Sequence, residues 1–424
     1  MESAAENIKA IVLAAGKGTR MKSARPKVLH EIFSVPLLGW VLRALDDIES
    51  TVVIGHGSDE VKKYLSNFPS VSYILQEQQL GTGHAVSVCV DKLKDFKGKI
   101  LILCGDTPLI EAETIAKFIE FHAVEGAALS VMTAIYDEPT NYGRIVRTDD
   151  GQISAIVEQK DATNAQLKIK EINAGIYLLN WQEILPAFRS LDNSNAQGEY
   201  YLTDIVAWAV AKGLKTCGWV LENENEIFGI NSREHLAIAA SIMNSKTLAR
   251  LMEEGVTITD PITTNISPET EIESDVVILP SVYIEGKNKI ASGCKIGPMA
   301  HLRGGCEIGE NCKIGNFVEL KNAKIGANTN ISHLSYVGDA TLGEDVNIGA
   351  GTIFANYNSL TKEKNHTFLD SGASVGSNSV LVAPVELGEN AFVAAGTVVT
   401  KNVEKNSLVI TRAEHKEIKN WSKK

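Results

Sequence analysis

A short unit recurs through the C-terminal part of the chain and restricts its fold more than any other feature of the sequence. In each copy an aliphatic residue is followed directly by glycine, and several copies are spaced by six or twelve residues, at Ile296-Gly297, Ile308-Gly309, Ile314-Gly315, Ile325-Gly326, Leu342-Gly343, Ile348-Gly349, Val375-Gly376 and Leu387-Gly388. Such a hexapeptide repeat is typical of a parallel β-helix, in which each side of every coil turns one aliphatic side chain inward. We expect the glycine to permit the tight corner that follows.

Three stretches interrupt this pattern, at residues 320–323, 332–336 and 355–368. Basic, aromatic and amide side chains occupy these stretches and their neighbours, where the coil pattern predicts small or aliphatic residues. We expect each interruption to be a loop that leaves the coil. Because loops on a rigid scaffold often carry function, they are candidates for a functional site.

The N-terminal half follows a different pattern, in which apolar runs of strand length alternate with helical stretches. The runs at residues 8–16, 51–57 and 99–106 are predicted strands, and residues 37–45 and 113–124 are predicted helices. This alternation indicates βαβ units and a mostly parallel sheet with helices on both faces, which is a Rossmann-like α/β domain.

A further helix is predicted over residues 232–254, between the two patterns. Ser232 is a candidate N-cap, and Gly255 follows the last helical position. We therefore predict a first domain over residues 1–231, a helical linker over 232–256, and a β-helix domain with a C-terminal tail over 257–424.

The composition argues against several classes of function. The net charge of −11 disfavours a broad nucleic-acid-binding face. No C-x-x-C pair occurs, which argues against a zinc site and a redox pair and suits a reducing cytoplasm; the cysteines are Cys89, Cys104, Cys217, Cys294, Cys306 and Cys312. The apolar run at residues 10–15 is too short for a membrane span and lacks the flanking charge of a signal peptide. We expect a cytoplasmic protein without membrane insertion.

The first predicted strand leads into a glycine-rich loop at residues 13–29, LAAGKGTRMKSARPKVL. It is not a Walker A loop, because Gly16 and Gly18 are too close together, and the third glycine of the dinucleotide fingerprint is missing. Such a backbone can approach a nucleotide closely, and Arg20 and Lys27 can neutralise phosphate charge. The loop by itself is equally compatible with an ordinary glycine turn in which the two cations are simply solvated.

This loop resembles the signature of sugar-1-phosphate nucleotidyltransferases, L-x-x-G-x-G-T-R-M followed by P-K. Further stretches narrow the resemblance: LQEQQLGTGHA at 75–85, CGDTPLI at 104–110, NYGRIV at 141–146, IVEQKDAT at 156–163, EINAGIY at 171–177 and NAQGEYYLTDI at 195–205. With the coils, nearly the whole chain resembles the bifunctional bacterial family of UDP-N-acetylglucosamine synthesis, which supplies peptidoglycan and lipopolysaccharide precursors. The resemblance implies a left-handed β-helix and a homotrimer.

For the N-terminal site, the resemblance implies uridylyl transfer from UTP to N-acetylglucosamine-1-phosphate. Asp106 and Asn231 would hold Mg²⁺, while Arg20 would contact the departing pyrophosphate and Lys27 the α-phosphate. The resemblance places the uracil against Gln76 and the backbone of Gly81, with Leu13, Ala14, Ala15 and Gly16 beneath the nucleotide. It assigns the sugar to Thr82, Gly143, Glu158, Asn173 and the backbone of Cys104 and Gly105. His84 is interpreted as structural, because this chemistry needs no histidine base.

For the C-terminal site, a sugar phosphate with a free amine needs an anion clamp and a base. Arg303 and Lys321 suit the clamp with Tyr336, and His333 suits the base, the role that the family assigns to it as the amine attacks acetyl-CoA. The resemblance places Asn347, Asn356 and Tyr357 around the amine and acetyl group, and Ala350, Ser377, Ala395 and Arg412 against coenzyme A. No cysteine nucleophile is required, so Cys294, Cys306 and Cys312 are interpreted as apolar fillers.

Alternatives stay open at the level of the sequence. A nucleotidyltransferase with one activity could use its coils only to assemble a trimer, and a related enzyme could transfer thymidylate to glucose-1-phosphate. A metal-dependent β-helix enzyme, such as a γ-class carbonic anhydrase, would need clustered histidines, but no close pair occurs among His301, His333, His366 and His415.

The chain departs from the family around the second site. Gly304 stands where the family has proline, and Asn358 takes the position of an aspartate in a longer loop. Lys362 and Lys364 are therefore alternative phosphate contacts. The stretch from Asn231 to Arg303 is shorter than usual by roughly two coils, which predicts a short rod.

Overall fold

The computed structural model describes residues 7–423, which divide into two compact units between Ala240 and Ser241. The first unit has the α/β pattern and the second has the coils, so the predicted fold class is confirmed. The predicted domain limits at residues 231 and 256 stay predictions. Within the described range, no helix has the length and apolar character needed to cross a membrane.

Short helices and strands alternate through the first unit, as the sequence predicts. The helices are α1 Leu37–Ala44, α2 Ser58–Leu65, α3 Thr82–Ser87, α4 Val90–Leu93, α5 Ala112–Glu125, α6 Trp181–Ile184, α7 Asp204–Ala211 and, at the linker, α8 Arg233–Glu253. The strands are β1 Ile8–Ala14, β2 Glu31–Ile32, β3 Val35–Pro36, β4 Glu49–Ile54, β5 Val71–Leu75, β6 Lys99–Cys104, β7 Leu129–Ile135, β8 Arg144–Arg147, β9 Ile153–Val157, β10 Glu171–Asn180 and β11 Thr216–Val220.

One sheet runs through this unit in the order β11-β7-β10-β6-β1-β4-β5, with β8 and β9 attached beside β10. Strand β1 is parallel to β4 and β6, whereas β10 is antiparallel to β6 and β7. Alternate residues of β1 enter different cores. Ile11 packs in the core that contains α3 and α7, and Val12 packs in the core that contains α1 and α5. Helices therefore cover both faces, as predicted.

The order of the strands reverses at β1, which lies between β4 and β6. Leu13 pairs with Cys104 and Ala14 pairs with Ile54, so all three strands end at the same edge. In open α/β sheets, ligands bind in the crevice beyond such a point. The glycine-rich loop after β1 and Asp106 after β6 both begin at this edge.

The predicted linker helix begins and ends where the sequence indicates. The Ser232 hydroxyl accepts a hydrogen bond from the backbone N–H of His235 at 3.1 Å, which confirms the N-cap. After α8, Gly255 takes a left-handed φ of +95°, and its N–H donates to the Met252 carbonyl, which confirms the end of the helix.

The second unit is a parallel β-helix made of short strands. They are β12 Thr257–Ile258, β13 Asn265–Ile266, β14 Glu271–Ile272, β15 Val277–Ile278, β16 Tyr283–Ile284, β17 Lys289–Ile290, β18 Lys295–Ile296, β19 His301–Leu302, β20 Glu307–Ile308, β21 Lys313–Asn316, β22 Glu319–Ile325, β23 Asn330–His333, β24 Tyr336–Leu342, β25 Asn347–Ile348, β26 Ile353–Ala355, β27 Tyr357–Asn358, β28 Glu363–Lys364, β29 Thr367–Leu369, β30 Ser374–Val375, β31 Val380–Val382, β32 Val385–Leu387, β33 Phe392–Val393, β34 Val398–Val399 and β35 Leu408–Val409.

Aliphatic side chains stack from coil to coil inside this β-helix. Ile278 pairs with Ile296, and Ile296 pairs with Ile314, at intervals of 18 residues, and all three are fully buried. The same core contains Cys294, Cys306 and Cys312, which confirms that they fill apolar space.

The prediction that each interruption is a loop leaving the coil is wrong for two of the three stretches. Residues 320–323 lie inside β22, and residues 332–336 run from β23 into β24. One corner of these coils is a residue shorter than the regular repeat. Asn322 and Asp339 turn this corner with a left-handed φ of 48°, which these residue types tolerate. The third interruption does contain an excursion, the antiparallel hairpin of β27 and β28.

The repeat glycines also have a different role from the predicted one. Gly297 alone among the eight has a left-handed φ, at +94°. At Gly309, a Cβ atom would lie 2.8 Å from the backbone nitrogen of Ala327 on the next coil. Glycine is therefore needed for the close approach of neighbouring coils. Left-handed corners are taken by other residues, among them Asn311, Asn328 and Asp345.

Truncation of a stacked side chain tests this account of the β-helix. Ile314→Ala leaves a cavity in the core and is expected to lower the free energy of unfolding of the β-helix by about 2–5 kcal/mol. Guanidinium unfolding followed by circular dichroism measures the loss. The neighbouring exposed Lys313→Ala should stay within about 0.5 kcal/mol of wild type. Equal unfolding midpoints for both variants would contradict the account.

Candidate active sites

A cavity of about 400 Å³ opens at the carboxyl ends of β1 and β6. Its lining includes the predicted residues Leu13, Ala14, Ala15, Gly16, Lys27, Gln76, Gly81, Thr82, Cys104 and Asp106. The sequence had not singled out the other lining residues, Lys17, Val28, Gln79, Ala85 and Glu199. Four of these five lie next to a predicted residue or in the same motif as one. This proximity is the sequence signal that could have identified them as lining residues.

Two cations of the glycine-rich loop contact two oxygen-bearing side chains at this edge. The Lys27 ammonium pairs with Oδ2 of Asp106 and donates to Oδ1 of Asn231 at 3.3 Å. Arg20 donates to the same Asn231 oxygen at 2.9 Å. Oxygens of Asp106 and Asn231 therefore converge on one positively charged group.

This convergence fits the predicted magnesium site. Mg²⁺ binds through one or two protein oxygens and completes its shell with water and substrate phosphates. The Lys27 ammonium stands in for a cation at the point where the oxygens of Asp106 and Asn231 meet. Within residues 7–423, no group of three or more His, Cys, Asp or Glu side chains is placed to hold a metal ion.

Gly18 allows the loop to fold back over Lys27. Its φ is +57°, and a Cβ atom at this position would lie 2.7 Å from the Cβ of Lys27. An L-amino acid with a side chain would meet both a conformational and a steric penalty here. The glycine at position 18 is therefore required to bring Lys27 to the cavity.

The Gln76 side chain is buried and held in one orientation at the cavity wall. Its Nε2 donates to the Gly81 carbonyl at 3.2 Å and lies 2.9 Å from Nδ1 of His84. Gln79 donates to the backbone carbonyl of Gln76 at 2.9 Å. Because the N–H groups of the amide are used internally, its oxygen is left for a ligand. His84 fixes Gln76, in line with the interpretation of His84 as structural.

Three residues predicted to hold the sugar lie together, outside the lining of the cavity. The N–H of Asn173 donates to the Gly143 carbonyl at 2.9 Å, and a Cβ atom at Gly143 would lie 3.5 Å from a carboxylate oxygen of Glu158. The Asn173 side chain is itself oriented, since it donates to the Tyr177 hydroxyl at 2.7 Å. Thr82, which is also predicted to contact the sugar, lines the cavity instead, and its hydroxyl accepts a hydrogen bond from the N–H of Leu202 at 3.1 Å.

Burial raises the pKa values of two groups near this cavity. Burial raises the pKa of Glu158, and the neighbouring carboxylate of Asp161 adds to the effect, while a hydrogen bond from Thr203 opposes it. Burial also raises the pKa of Cys104 to about 12, assisted by the charge of Asp106. The Cys104 thiol is therefore protonated at neutral pH and lines the cavity as an apolar group.

In the second unit, the two predicted clamp cations lie on adjacent coils. Arg303 and Lys321 each follow one member of the pair Leu302 and Leu320, so they stack about 4.8 Å apart along the axis. Arg303 forms an ion pair with Glu319 at 3.0 Å, but both side chains are exposed, so the pair stabilises little. The arginine can therefore exchange this carboxylate for a phosphate at small cost.

Tyr336 lies beside this pair on the next coil. It is in register with Glu319, and its hydroxyl accepts a hydrogen bond from the Asn356 amide at 3.4 Å. The tyrosine ring covers Gly338, where a Cβ atom would lie 2.2 Å from the hydroxyl oxygen. The ring position thus depends on a glycine two residues along the chain.

His333 ends β23 with an exposed ring and a fixed backbone. Its carbonyl accepts hydrogen bonds from the Ser335 hydroxyl at 2.8 Å and from the N–H of Gly351 at 3.3 Å. Its neighbour in register is Asn316. One corner, at Leu334 and Ser335, separates His333 from Tyr336, so the predicted base and the predicted clamp lie on adjoining sides of the coil.

Three of the predicted coenzyme A residues form a column. Ala350, Ser377 and Ala395 each follow by two positions one of the inward residues Ile348, Val375 and Val393, which are paired on successive coils. Asn347 lies on the first of these coils. Tyr357 begins the β27–β28 hairpin opposite Lys364, and Lys362 is near its tip. Arg412 is exposed beyond β35.

Asp339 is a buried residue that the sequence analysis missed. It accepts hydrogen bonds from the amides of Asn322 at 2.8 Å and Asn356 at 2.5 Å, and so holds Asn356 beside Tyr336. The signal was present in the sequence, because Asp339 stands where the coil pattern predicts a small or aliphatic residue. Its left-handed backbone at a corner could not be inferred from that pattern.

Comparison with known proteins matches residues 9–224 to the nucleotidyl transferase family and residues 278–412 to the GMPPB C-terminal domain. The bifunctional protein GlmU of Acetivibrio thermocellus is 42% identical over 452 aligned positions, which cover 98% of this chain and 97% of that protein. The bifunctional proteins GlmU of Trichlorobacter lovleyi and Clostridium novyi are 42% and 41% identical, each over 97% of both chains. The first alignment exceeds the 424 residues of this chain, so that relative has residues that this chain lacks.

The raised pKa of Glu158 predicts how a neutral substitute affects stability. The Glu158 carboxyl contributes its full stabilisation of the folded state below its ordinary pKa. This stabilisation is lost as the pH rises through the higher pKa that the carboxyl has in the folded state. Glu158→Gln should therefore be more stable than wild type at about pH 7.5, and the difference should shrink toward about pH 4.5. Denaturant unfolding at both pH values measures it, with the exposed Glu77→Gln as the control. A stability difference that grows on acidification would contradict the assignment.

Proposed function

Since the chain belongs to the family of bifunctional GlmU proteins, we propose that it makes UDP-N-acetylglucosamine in two reactions at separate sites. The β-helix site transfers acetyl from acetyl-CoA to glucosamine-1-phosphate. The α/β site then transfers uridylyl from UTP to the resulting N-acetylglucosamine-1-phosphate. The observation that carries this proposal is that one chain contains both the cation-and-oxygen cluster around Lys27 and Asp106 and the stacked Arg303 and Lys321 near His333.

In the uridylyl transfer, a phosphate oxygen of the sugar phosphate attacks the α-phosphorus of UTP. The bond from that phosphorus to the bridging oxygen breaks, and pyrophosphate leaves. This reaction needs reactants in position and neutralised charge more than a covalent intermediate. Lys27 balances the α-phosphate that is retained, and Arg20 binds the pyrophosphate that departs. Mg²⁺ held by Asp106 and Asn231 supplies further positive charge when it is bound.

In the acetyl transfer, the amine nitrogen of glucosamine-1-phosphate attacks the carbonyl carbon of acetyl-CoA. The carbon–sulfur bond breaks and coenzyme A leaves as its thiolate, while His333 takes the proton that the amine nitrogen loses. Arg303 and Lys321 bind the phosphate as a stacked pair of cations. Ala350, Ser377 and Ala395 offer a column of small residues against which coenzyme A lies.

A homotrimer is also part of the proposal, with acetyl-transfer sites completed at subunit boundaries. Met299, Phe317 and Leu334 support it, because they form an exposed apolar column at one corner, with exposed fractions of 49%, 53% and 59%. Each has a left-handed φ, which bulky residues rarely adopt. A column of strained, exposed apolar side chains next to His333 fits packing against a second copy.

We place this enzyme in the cytoplasm, where UTP and acetyl-CoA are produced. The six cysteines are unpaired, which suits a reducing compartment.

Two rival functions give different results in simple assays. A nucleotidyltransferase with one activity would form UDP-N-acetylglucosamine but release no coenzyme A thiol with glucosamine-1-phosphate. A thymidylyltransferase acting on glucose-1-phosphate would release pyrophosphate faster with dTTP than with UTP.

One substitution in each site tests whether the two sites catalyse separate reactions. His333→Ala should reduce thiol release from acetyl-CoA by at least about 100-fold, because general base catalysis contributes about that much, and should leave uridylyl transfer unchanged. Asp106→Asn should do the reverse, because it removes a charged metal contact from the α/β site alone. Each variant is the folding control for the other. Equal thiol release by wild type and His333→Ala would overturn the bifunctional proposal.

A further inference from the structure

Arg233, the first residue of α8, contacts the glycine-rich loop at two points. Its Nε donates to the carbonyl of Met21 at 3.3 Å, and its Nη1 lies 3.5 Å from Nδ1 of His30. Met21 and His30 enclose the part of the loop that contains Lys27. Neither contact is to a carboxylate, so charge pairing does not explain why an arginine is placed here.

The location of this arginine is electrostatically unfavourable with respect to the helix that it begins. A cation at the N-terminal end of a helix opposes the helix dipole. His30 is buried, and burial together with the charges of Arg233 and Arg25 lowers its pKa. The imidazole is therefore neutral at neutral pH and can accept the hydrogen bond from Arg233. An unfavourably placed guanidinium with two directed contacts is best explained by what it holds in place.

The two contacts of Arg233 are to residues close in the chain to those that Asn231 contacts. The Asn231 side chain contacts the side chains of Arg20 and Lys27, at 2.9 and 3.3 Å. Two residues further along the chain, Arg233 contacts the backbone next to Arg20 and the ring three residues after Lys27. The loop and the segment that begins α8 are thus joined at four points along one seam.

We propose that Arg233, acting through Met21 and His30, is a positioning residue for uridylyl transfer that fixes Arg20 and Lys27 relative to Asn231. This inference rests on the function proposed for the α/β site. Without the two contacts of Arg233, Arg20 and Lys27 are still present, but the loop no longer holds them in the positions that reach the pyrophosphate and the α-phosphate. Misplacement by about 1 Å is enough to cost on the order of 100-fold in rate.

The test compares Arg233→Met, Arg233→Lys and the exposed control Arg189→Met in the full-length protein. Arg233→Met should raise the UTP concentration for half-maximal rate about tenfold and lower kcat for uridylyl transfer by about 10- to 100-fold. Arg233→Lys, which can keep one contact, should fall between Arg233→Met and wild type. Acetyl transfer by the same preparations should equal wild type, which controls for folding.

Hydrogen–deuterium exchange of the ligand-free variants provides a readout that does not depend on activity. Arg233→Met should accelerate exchange in residues 19–30 and leave β1 and β6 protected, whereas Arg189→Met should match wild type throughout. Unchanged exchange in residues 19–30, or a half-maximal UTP concentration within about twofold of wild type, would overturn the inference. If wild type itself forms no UDP-N-acetylglucosamine, the proposed function fails, and the exchange result still decides whether Arg233 holds the loop.

Discussion

Stacking of inward aliphatic side chains is the constraint on which the arrangement of the β-helix depends. Because each coil hydrogen-bonds to the next and its inward side chains must superimpose, outward positions at equal offsets superimpose as well. Arg303 therefore lies over Lys321, and Ala350 lies in one column with Ser377 and Ala395, although these residues are far apart in the sequence. A regular core thus places two cations on adjacent coils and three small residues in one column without any dedicated loop.

The α/β unit reaches a comparable result through the common edge of its parallel strands. Register between β1 and β6 places the glycine-rich loop next to Asp106. Lys27 then forms an ion pair with Asp106, so opposite charges meet at the edge where the cavity opens. The segment that begins α8 is joined to the same part of the chain, because Arg233 contacts the Met21 carbonyl and the His30 ring.

Much of this arrangement follows from the sequence, and the exceptions have physical reasons. Apolar periodicity located the strands, and the aliphatic-glycine unit located the coils, because both patterns report which side chains are buried. The pattern does not report how many residues a corner needs, so residues 320–323 resembled a loop although β22 passes through them. It does not reveal close approach of backbones either, so the glycines of the repeat were assigned to corners that asparagine and aspartate turn instead. Contacts such as that of Arg233 with Met21 join residues more than 200 positions apart, and no local pattern encodes them.

One coupled reaction tests the central claim, that a single chain carries two consecutive activities. The purified wild-type protein is incubated with glucosamine-1-phosphate, acetyl-CoA, UTP and Mg²⁺, and the sugar phosphates are followed by ³¹P NMR. The account predicts that N-acetylglucosamine-1-phosphate appears transiently before UDP-N-acetylglucosamine and pyrophosphate, and that omission of acetyl-CoA abolishes all three. If the complete mixture yields no UDP-N-acetylglucosamine, while added N-acetylglucosamine-1-phosphate is converted, the claim of two activities in this chain is contradicted.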